Sequence, residues 1–190
     1  MKEDRRPREI AEGRVLEGTT VSTHHDALDV VHLFPRFDLE DKPYAESMVS
    51  ARRVSATRLI HAPASTIFDL LADPRQHQRL DGSESISAVV DAPERLFLGA
   101  TFSMGMHMGV RYRTKNKVVA FEENKCIAWH HFAQFVWRYD LEEVDGATRV
   151  TESFDYDKPW AFTIIAMGFP EKNRRAMEAT LARLEQIVTA

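Results

Sequence analysis

Apolar residues of the chain follow a helical period at its C-terminal end. After Pro170 they recur three or four positions apart, at Met177, Leu181, Leu184 and Val188. This spacing places them on one stripe of a helix, with charged residues around the rest of its circumference. Pro170 suits the first turn, because its missing N–H has no intrahelical partner there. The pattern predicts a long C-terminal helix whose buried stripe lies across a sheet.

Between residues 85 and 156 the period changes to two, which is typical of strands with one buried face. Strands are predicted over residues 86–90, 101–108, 111–120, 126–132, 135–143 and 148–156. The dipeptide Asp145-Gly146 separates the last two strands and indicates a two-residue hairpin.

A strand and two short helices are predicted before this run of strands. Residues 54–61 are rich enough in β-branched residues for a strand, and Pro63 then opens a helix that ends at Asp73-Pro74. A second short helix over residues 75–80 leads to the turn Asp81-Gly82-Ser83. One strand, two short helices, a series of antiparallel strands and a long helix together predict an α+β domain.

The chain divides near residue 50. Residues 1–20 are charged and show little periodicity, which is typical of disorder, whereas residues 24–44 carry apolar side chains that could dock on a domain. We therefore predict an N-terminal extension, residues 1–50, that is disordered or loosely docked. One folded domain is predicted over residues 51–190.

Composition narrows the class of protein. The net charge of −4 argues against a general nucleic-acid binder. Cys126 is the single cysteine, so an internal disulfide is impossible and a reducing compartment is favoured. No apolar segment of a secretory signal follows the charged start, and no apolar run approaches the length that spans a bilayer. We expect a cytoplasmic protein without stable membrane insertion.

Several segments together resemble a known superfamily. They are residues 60–64 (IHAPA), 67–74 (IFDLLADP), 81–83, Trp129, the block 137–156 (WRYDLEEVDGATRVTESFDY) and the C-terminal helix. They resemble the START, birch-pollen-allergen-like "helix-grip" superfamily, also called SRPBCC, and within it the polyketide cyclase/dehydrase and lipid-transport group. The resemblance covers roughly residues 54–189. It implies a curved antiparallel sheet wrapped around the long helix, with a pocket for an apolar ligand between them. Members include carriers, receptors, chaperone activators and cyclases, so the fold does not determine the function.

The strand phases predict which side chains would line such a pocket. The inward-facing set is Phe102, Met104, Met106, Met108, Tyr112, Trp129, His131, Phe135, Trp137, Tyr139 and Phe154. The segment before Pro170 would add Trp160, Ile164 and Met167. Methionines adapt to irregular shapes, which suits a ligand pocket. The alternative is a solid core, because alternation indicates burial and not a cavity.

Glu152 departs from this apolar pattern. It lies two residues from both Val150 and Phe154, so a carboxyl group shares their inward face. Burial of a lone carboxylate is unfavourable unless the group is paired, protonated or hydrated. A bulge could shift its phase, or a place near the sheet edge could let it reach water. Otherwise it is a polar anchor for a ligand, or an acid/base group with a raised pKa and His131 as its partner.

The remaining motifs indicate neither a metal nor a cofactor. The histidines lack metal-ligand spacing, and His130 and His131 point to opposite faces of a strand. No phosphate-binding, dinucleotide-binding or nucleophile motif is present. Arg111, Arg113, Lys115 and Lys117 form a basic row, which is either a solvated sheet face or a surface for an anionic partner.

Three functions remain. The first is binding of a small hydrophobic molecule beneath the C-terminal helix. The second is an enzyme of the cyclase/dehydratase type, in which Tyr112, His131 or Glu152 moves a proton. The third is a protein-interaction module that uses the extension or the basic row. Binding ranks first because the sequence shows no assembled catalytic motif, and the pattern leaves the oligomeric state open.

Overall fold

A computed structural model of the chain describes strand β1 (Leu28–Asp29) and residues 52–190. The predicted extension, residues 1–50, lies outside the described residues apart from β1, so its disorder or loose docking stays a prediction. The described domain has the predicted α+β class. It is a curved, open antiparallel sheet with a long C-terminal helix, and short helices follow the first strand of the domain.

The sheet is built from strands that follow one another as antiparallel neighbours. Their order is β2-β8-β7-β6-β5-β4-β3, and β1 pairs in parallel with β5. The strands are β2 (Arg53–Ile60), β3 (Ile86–Asp91), β4 (Thr101–Met108), β5 (Val110–Glu122), β6 (Cys126–His130), β7 (Val136–Val144) and β8 (Ala147–Asp155). Pairing of β8 with β2 joins the last strand to the first one of the domain, which leaves β2 and β3 at the two ends of the sheet.

Helical segments connect the strands and close the fold. Helix α1 (Ala64–Ala72) ends at Asp73, and a 3₁₀ turn (Pro74–Gln76) leads into α2 (His77–Leu80). After β8 come a 3₁₀ turn (Pro159–Ala161), α3 (Phe162–Ala166) and α4 (Phe169–Val188). A further short 3₁₀ segment (Phe132–Gln134) lies between β6 and β7. The bounds of α1, α2 and α4 agree with the sequence predictions to within about two residues, whereas α3 and the 3₁₀ segments at residues 132–134 and 159–161 were not predicted.

Helix α4 packs against β2, β8 and α2, as its stripe predicts. Met177, Leu181 and Leu184 are fully buried. Gly82 lies against the helix backbone, where a Cβ atom would meet the carbonyl oxygen of Ala176 at 2.2 Å. The N–H of Gly82 donates to Thr180 Oγ1 at 3.0 Å. The turn after α2 therefore fixes the middle of α4 against the rest of the domain.

The core consists of two apolar clusters. The larger one joins α1 and α2, the inner face of the sheet and the end of α4 through residues such as Phe68, Phe102 and Leu181. The smaller one contains Phe135, Phe154, Ala161, Ile164 and Met177. Trp129 and Tyr139 belong to the larger cluster and Phe154 to the smaller one, and all three also line the cavity described below.

Candidate ligand-binding site

A cavity of about 140 Å³ lies between the inner face of the sheet, α2 with its following turn, and residues 169–180 of α4. Strands β4 to β8 supply one wall, because alternate residues of an antiparallel strand face the same side. A closed apolar cavity of about 150 Å³ holds a benzene ring, so the space is large enough for a small organic molecule or for part of a larger one.

Most of the predicted pocket residues line this cavity. They are Met104, Met106, Met108, Tyr112, Trp129, His131, Trp137, Tyr139, Glu152 and Phe154. The aromatic rings contact one another, with 5.8 Å between the ring centroids of Trp129 and Tyr139 and 5.2 Å between those of Trp137 and Phe154. Their role in holding a ligand stays a prediction.

Five predicted residues do not line the cavity. Phe102 and Phe135 face inward as predicted, but both are fully buried among other core rings, Phe102 at 5.6 Å from Trp129 and Phe135 at 5.6 Å from Phe154. Ile164 and Trp160 pack in or against the smaller core cluster. Met167 caps the short helix α3 and is 61% exposed. The helical turns before α4 direct these last three side chains elsewhere, which strand phases could not predict.

The sequence analysis expected a pocket beneath α4 but did not identify the residues of α4 and of the α2 turn that line it. On α4 they are Phe169, Asn173, Ala176 and Thr180, whose spacing of four, three and four marks one helix face. The same spacing is visible in the sequence. However, Asn173 and Thr180 are polar, so this helix face does not belong to the apolar stripe from which the helix was predicted. The other missed residues are Leu71, His77, Leu80, Asp81, Ser83, Ser85, Ile86 and Asn116.

Glu152 is a buried member of the cavity wall. It is 1% exposed, and its pairing on β8 opposite Tyr139 of β7 is regular, so no bulge turns it outward. Its Oε1 accepts two hydrogen bonds, from Trp137 Nε1 at 2.9 Å and from the Tyr139 hydroxyl at 2.8 Å. Its Oε2 is buried and has no hydrogen-bond partner among the described residues.

The surroundings of Glu152 favour its protonated form. Burial raises the pKa of Glu152 to about 8, because desolvation disfavours the charge more than the hydrogen bonds from Tyr139 and Trp137 favour it. The charge of Asp81 raises that pKa further. Burial also raises the pKa of the Tyr139 hydroxyl well above its ordinary value. At neutral pH the site therefore holds a neutral carboxylic acid.

His131 is not the hydrogen-bond partner of the Glu152 carboxyl group, which was one of the expectations from the sequence. The carboxyl group accepts its bonds from Trp137 and Tyr139, whereas His131 Nδ1 lies 2.9 Å from Asn116 Oδ1. Asn116 Nδ2 donates to the carbonyl of Phe102 at 3.4 Å, so Asn116 Oδ1 is the acceptor and His131 Nδ1 is the donor. Burial lowers the pKa of His131 to about 4, so the ring is neutral with its basic lone pair on Nε2.

His77 and Tyr112 are further polar members of the wall. His77 stacks on Trp129 with 5.3 Å between ring centroids, and its Nε2 donates to the Leu71 carbonyl at 2.8 Å. Burial lowers the pKa of His77, which is also neutral. The Tyr112 hydroxyl donates to Met108 Sδ at 3.1 Å, a weak acceptor that a ligand oxygen could replace.

The described lining of the cavity contains acidic residues but no basic ones other than histidine. Among the described residues that line the cavity there is no lysine or arginine, and Asp81 is the carboxylate that accompanies Glu152. Asp81 already accepts hydrogen bonds from the Ser83 and Ile86 backbone N–H groups and from serine hydroxyls. It therefore serves to hold its own turn.

The structure also bears on metal sites and the basic row. Within residues 52–190, no group of three or more His, Cys, Asp or Glu side chains is arranged to hold a metal ion. Arg111, Arg113 and Lys115 of β5 are exposed on the face opposite Tyr112 and Asn116. No helix among the described residues is both long enough and apolar enough to cross a membrane.

Comparison with known proteins identifies the family. The sequence model for "Polyketide cyclase / dehydrase and lipid transport" proteins matches residues 51–189. The chain belongs to this family. The resemblance that the sequence motifs indicated is thereby confirmed.

Family relatives extend the comparison. The uncharacterized protein Rv0088 of Mycobacterium tuberculosis is 37% identical over 139 residues, which are 70% of this chain and 62% of the relative. The chain therefore spans less than two thirds of the length of the curated relatives that it matches. Among solved structures, protein Ms6760 from Mycobacterium smegmatis is 22% identical with a TM-score of 0.57, over 72% of this chain and 90% of that one. Protein NE0264 from Nitrosomonas europaea is 15% identical with a TM-score of 0.58, over 74% of this chain and 97% of that one. These two structures share the fold.

Proposed function

We propose that this protein binds a small, largely apolar molecule in the cavity between the sheet and α4. The observation that carries the proposal is the cavity itself, a space of about 140 Å³ whose lining is rich in aromatic and methionine side chains. Membership of a family described by lipid transport and polyketide chemistry supports the same class of ligand.

The proposal is tested by binding of naphthalene-sized fluorescent probes to the full-length protein. Trp129 and Trp137 line the cavity, so a bound probe should quench or shift tryptophan emission with saturation at micromolar concentrations. Native mass spectrometry of freshly purified protein gives a second measurement, because a retained ligand adds its mass. Absence of both a co-purified mass and saturable probe binding would refute a binding function.

A cavity-filling variant provides the matched control. Ala176 lies on α4 and lines the cavity, so Ala176→Phe should reduce probe affinity at least tenfold, a change of about 1.4 kcal/mol. Gln186→Phe adds the same ring to an exposed position of the same helix and should leave affinity unchanged. Equal loss in both variants would indicate damage to the helix and not occupation of the cavity.

The state of Glu152 favours a second candidate, an enzyme of the cyclase/dehydratase type. A carboxylic acid with a pKa of about 8 can donate a proton near neutral pH, and His131, neutral with a lone pair on Nε2, lines the same cavity. In a dehydration, His131 would remove the proton next to a carbonyl. Glu152 would then protonate the β-hydroxyl group that leaves as water.

The enzyme reading is tested with a β-hydroxy ketone as substrate. If Glu152 transfers a proton, Glu152→Gln should spare binding and reduce turnover by roughly a hundredfold or more. His131→Asn should affect the same step, so the double variant should lose less than the sum of the single losses. If the wild-type protein binds this substrate without dehydrating it, the enzyme function is refuted and the binding function remains.

A further inference from the structure

We propose that the ligand is an uncharged molecule with a carbonyl oxygen, and that this oxygen accepts a hydrogen bond from the Glu152 carboxyl group. This inference rests on the proposed binding function and narrows the chemical class of the ligand. It follows from three features of the cavity wall, namely the hydrogen bonds at Oε1, the unpartnered Oε2 and the charges of the lining.

The first feature is that both donors to Glu152 converge on one oxygen. An indole N–H can only donate, so the 2.9 Å contact fixes Oε1 as an acceptor towards Trp137. The Tyr139 hydroxyl donates to the same Oε1 at 2.8 Å. Two donors at Oε1 leave no room for a proton there. The acid proton of neutral Glu152 is therefore on Oε2.

The second feature is that Oε2 has no partner among the described residues although it is fully buried. A buried hydroxyl without an acceptor is unfavourable, and native proteins seldom leave one unpaired. Glu152 lines the cavity, so a molecule bound there is placed to supply the missing acceptor. A carbonyl oxygen accepts such a bond and carries no charge into an apolar site.

The third feature is the charge of the lining, which opposes ionised ligands. A carboxylate would enter a cavity that has no lysine or arginine in its described lining and that already faces Asp81. An ammonium group would need an available carboxylate, but the Asp81 oxygens accept bonds from their own turn and Glu152 is protonated. An anionic ligand would lose hydration without gaining a counter-charge, and an ammonium group would meet only the Asp81 oxygens that their own turn already occupies, whereas a ketone, ester or amide brings no charge into the cavity.

Four probes of similar size test the inference in the full-length protein. They are 2-acetylnaphthalene, 2-isopropylnaphthalene, 2-naphthoate and 1-(2-naphthyl)ethylamine at neutral pH. After correction for water–octanol partitioning, the ketone should bind about tenfold more tightly than the hydrocarbon, which is the effect of one net hydrogen bond. Both charged probes should bind more weakly than the hydrocarbon.

Two variants of Glu152 separate a neutral donor from a charged anchor. Glu152→Gln keeps an oxygen for Trp137 and Tyr139 and places an N–H₂ donor where the acid O–H was, so the ketone preference should persist within about threefold. Glu152→Met keeps the length of the side chain without a donor, so the preference should vanish while the hydrocarbon still binds. Glu143→Gln and Glu143→Met, at an exposed position of β7, should match the wild type.

The outcomes are distinct for the two proposals. If no probe binds, the binding function falls. If the hydrocarbon binds as well as the ketone after correction, the function stands and this inference is overturned. Tighter binding of the amine or the carboxylate, or loss of the ketone preference in Glu152→Gln, would also overturn it. The wild-type and Gln measurements decide the matter even if the Met variant fails to fold.

Discussion

At the scale of single residues, the protein keeps Glu152 neutral inside an apolar wall. Trp137 and Tyr139 satisfy one of its oxygens, yet desolvation outweighs both hydrogen bonds and holds the pKa near 8. Because this pKa is raised above the ordinary value of 4.5, the native state holds a proton that the unfolded chain has lost. The residue therefore links the stability of the fold to pH.

Stability should fall as the pH rises through the pKa of Glu152. The stabilising contribution of the neutral acid is complete below about pH 4.5 and is lost by the time the pH exceeds about 8. Between pH 7 and pH 9 the ionisation of Glu152 should lower the free energy of unfolding by about 1.4 kcal/mol, so the wild type should lose about that much more stability than Glu152→Gln. The raised pKa of the Cys126 thiol acts in the same window but equally in both proteins. Urea unfolding at the two pH values measures the difference. The lowered pKa values of His131 and His77 affect stability below pH 6.5, outside this window.

A parallel pH dependence in both proteins would place the Glu152 carboxyl group in water. An NMR titration of its carboxyl carbon provides an independent check, since a midpoint near 4.5 would contradict the raised pKa. The anchor and proton-transfer roles would then both fall.

Gly82 is the second residue on which the site depends. An added Cβ would meet the Ala176 carbonyl oxygen at 2.2 Å and the Thr180 nitrogen at 2.5 Å, both of them backbone atoms of α4. We expect Gly82→Ala to destabilise the fold by about 3 kcal/mol, at the upper end of typical overpacking effects, as measured by urea unfolding. Gly105→Ala is the comparison, because its Cβ meets Ser87 Oγ at 3.0 Å and that side chain can turn away. Equal effects of both changes would show that α4 adjusts freely.

At the scale of elements, different side chains of α4 pack into the core and line the cavity. Leu181 and Leu184 in its second half are fully buried in the larger core cluster. Phe169, Asn173 and Ala176 in its first half face the cavity instead. The helix therefore packs into the larger core cluster through Leu181 and Leu184, and its side chains between Phe169 and Thr180 line the cavity.

The β7–β8 hairpin positions Trp137, Tyr139 and Glu152 through one tight turn. Asp145 and Gly146 form a two-residue connection, and both have positive φ, at 50° and 80°. This geometry is that of a type I′ turn, which matches the twist of the flanking strands. The turn fixes the register that sets Glu152 opposite Tyr139.

Replacing Gly146, which adopts its positive φ without strain, should weaken this hairpin. Gly146→Ala should cost about 1 kcal/mol, because a non-glycine residue with positive φ is strained. Gly146→Asn should cost less, since asparagine tolerates that conformation better. Thermal unfolding monitored by circular dichroism compares the two variants. A larger cost for Asn than for Ala would contradict the assigned turn.

At the scale of the whole molecule, the described residues that form both core clusters and the cavity wall all belong to the predicted domain, 51–190. The family match spans nearly the same range, residues 51–189. The described contact of the extension is β1, where Leu28 pairs with Tyr112 and Asp29 with Arg113.

Deletion of residues 1–47 should leave the fold intact, because these residues lack a periodic apolar face long enough to pack on the domain. A change of about 1 kcal/mol shifts the melting temperature of a domain of this size by roughly 2–4 °C. We expect the melting temperature to change by no more than that. A much larger fall would show that the extension belongs to the core, and probe titration of the truncated protein would show whether it also affects the cavity.

The sequence by itself determined the strands of the domain, the helices α1, α2 and α4, their order and which strand residues face inward. Those features follow from local rules, such as the two-residue period that placed Met104, Met106 and Trp137 on the inner face. Motifs spread over the domain also determined the family. The inward phase of Glu152 was visible for the same reason, because its neighbours Val150 and Phe154 set the face.

Only the tertiary structure decided what surrounds those inward residues. Whether an inward face meets a void or another side chain depends on the distance between the sheet and α4, which no local period encodes. The structure put Phe102 and Phe135 into solid core and opened space beside Met106 and Tyr112. It also decided that Trp137 and Tyr139, rather than His131, donate to Glu152, because hydrogen bonds require the relative placement of whole strands and not the phase of one.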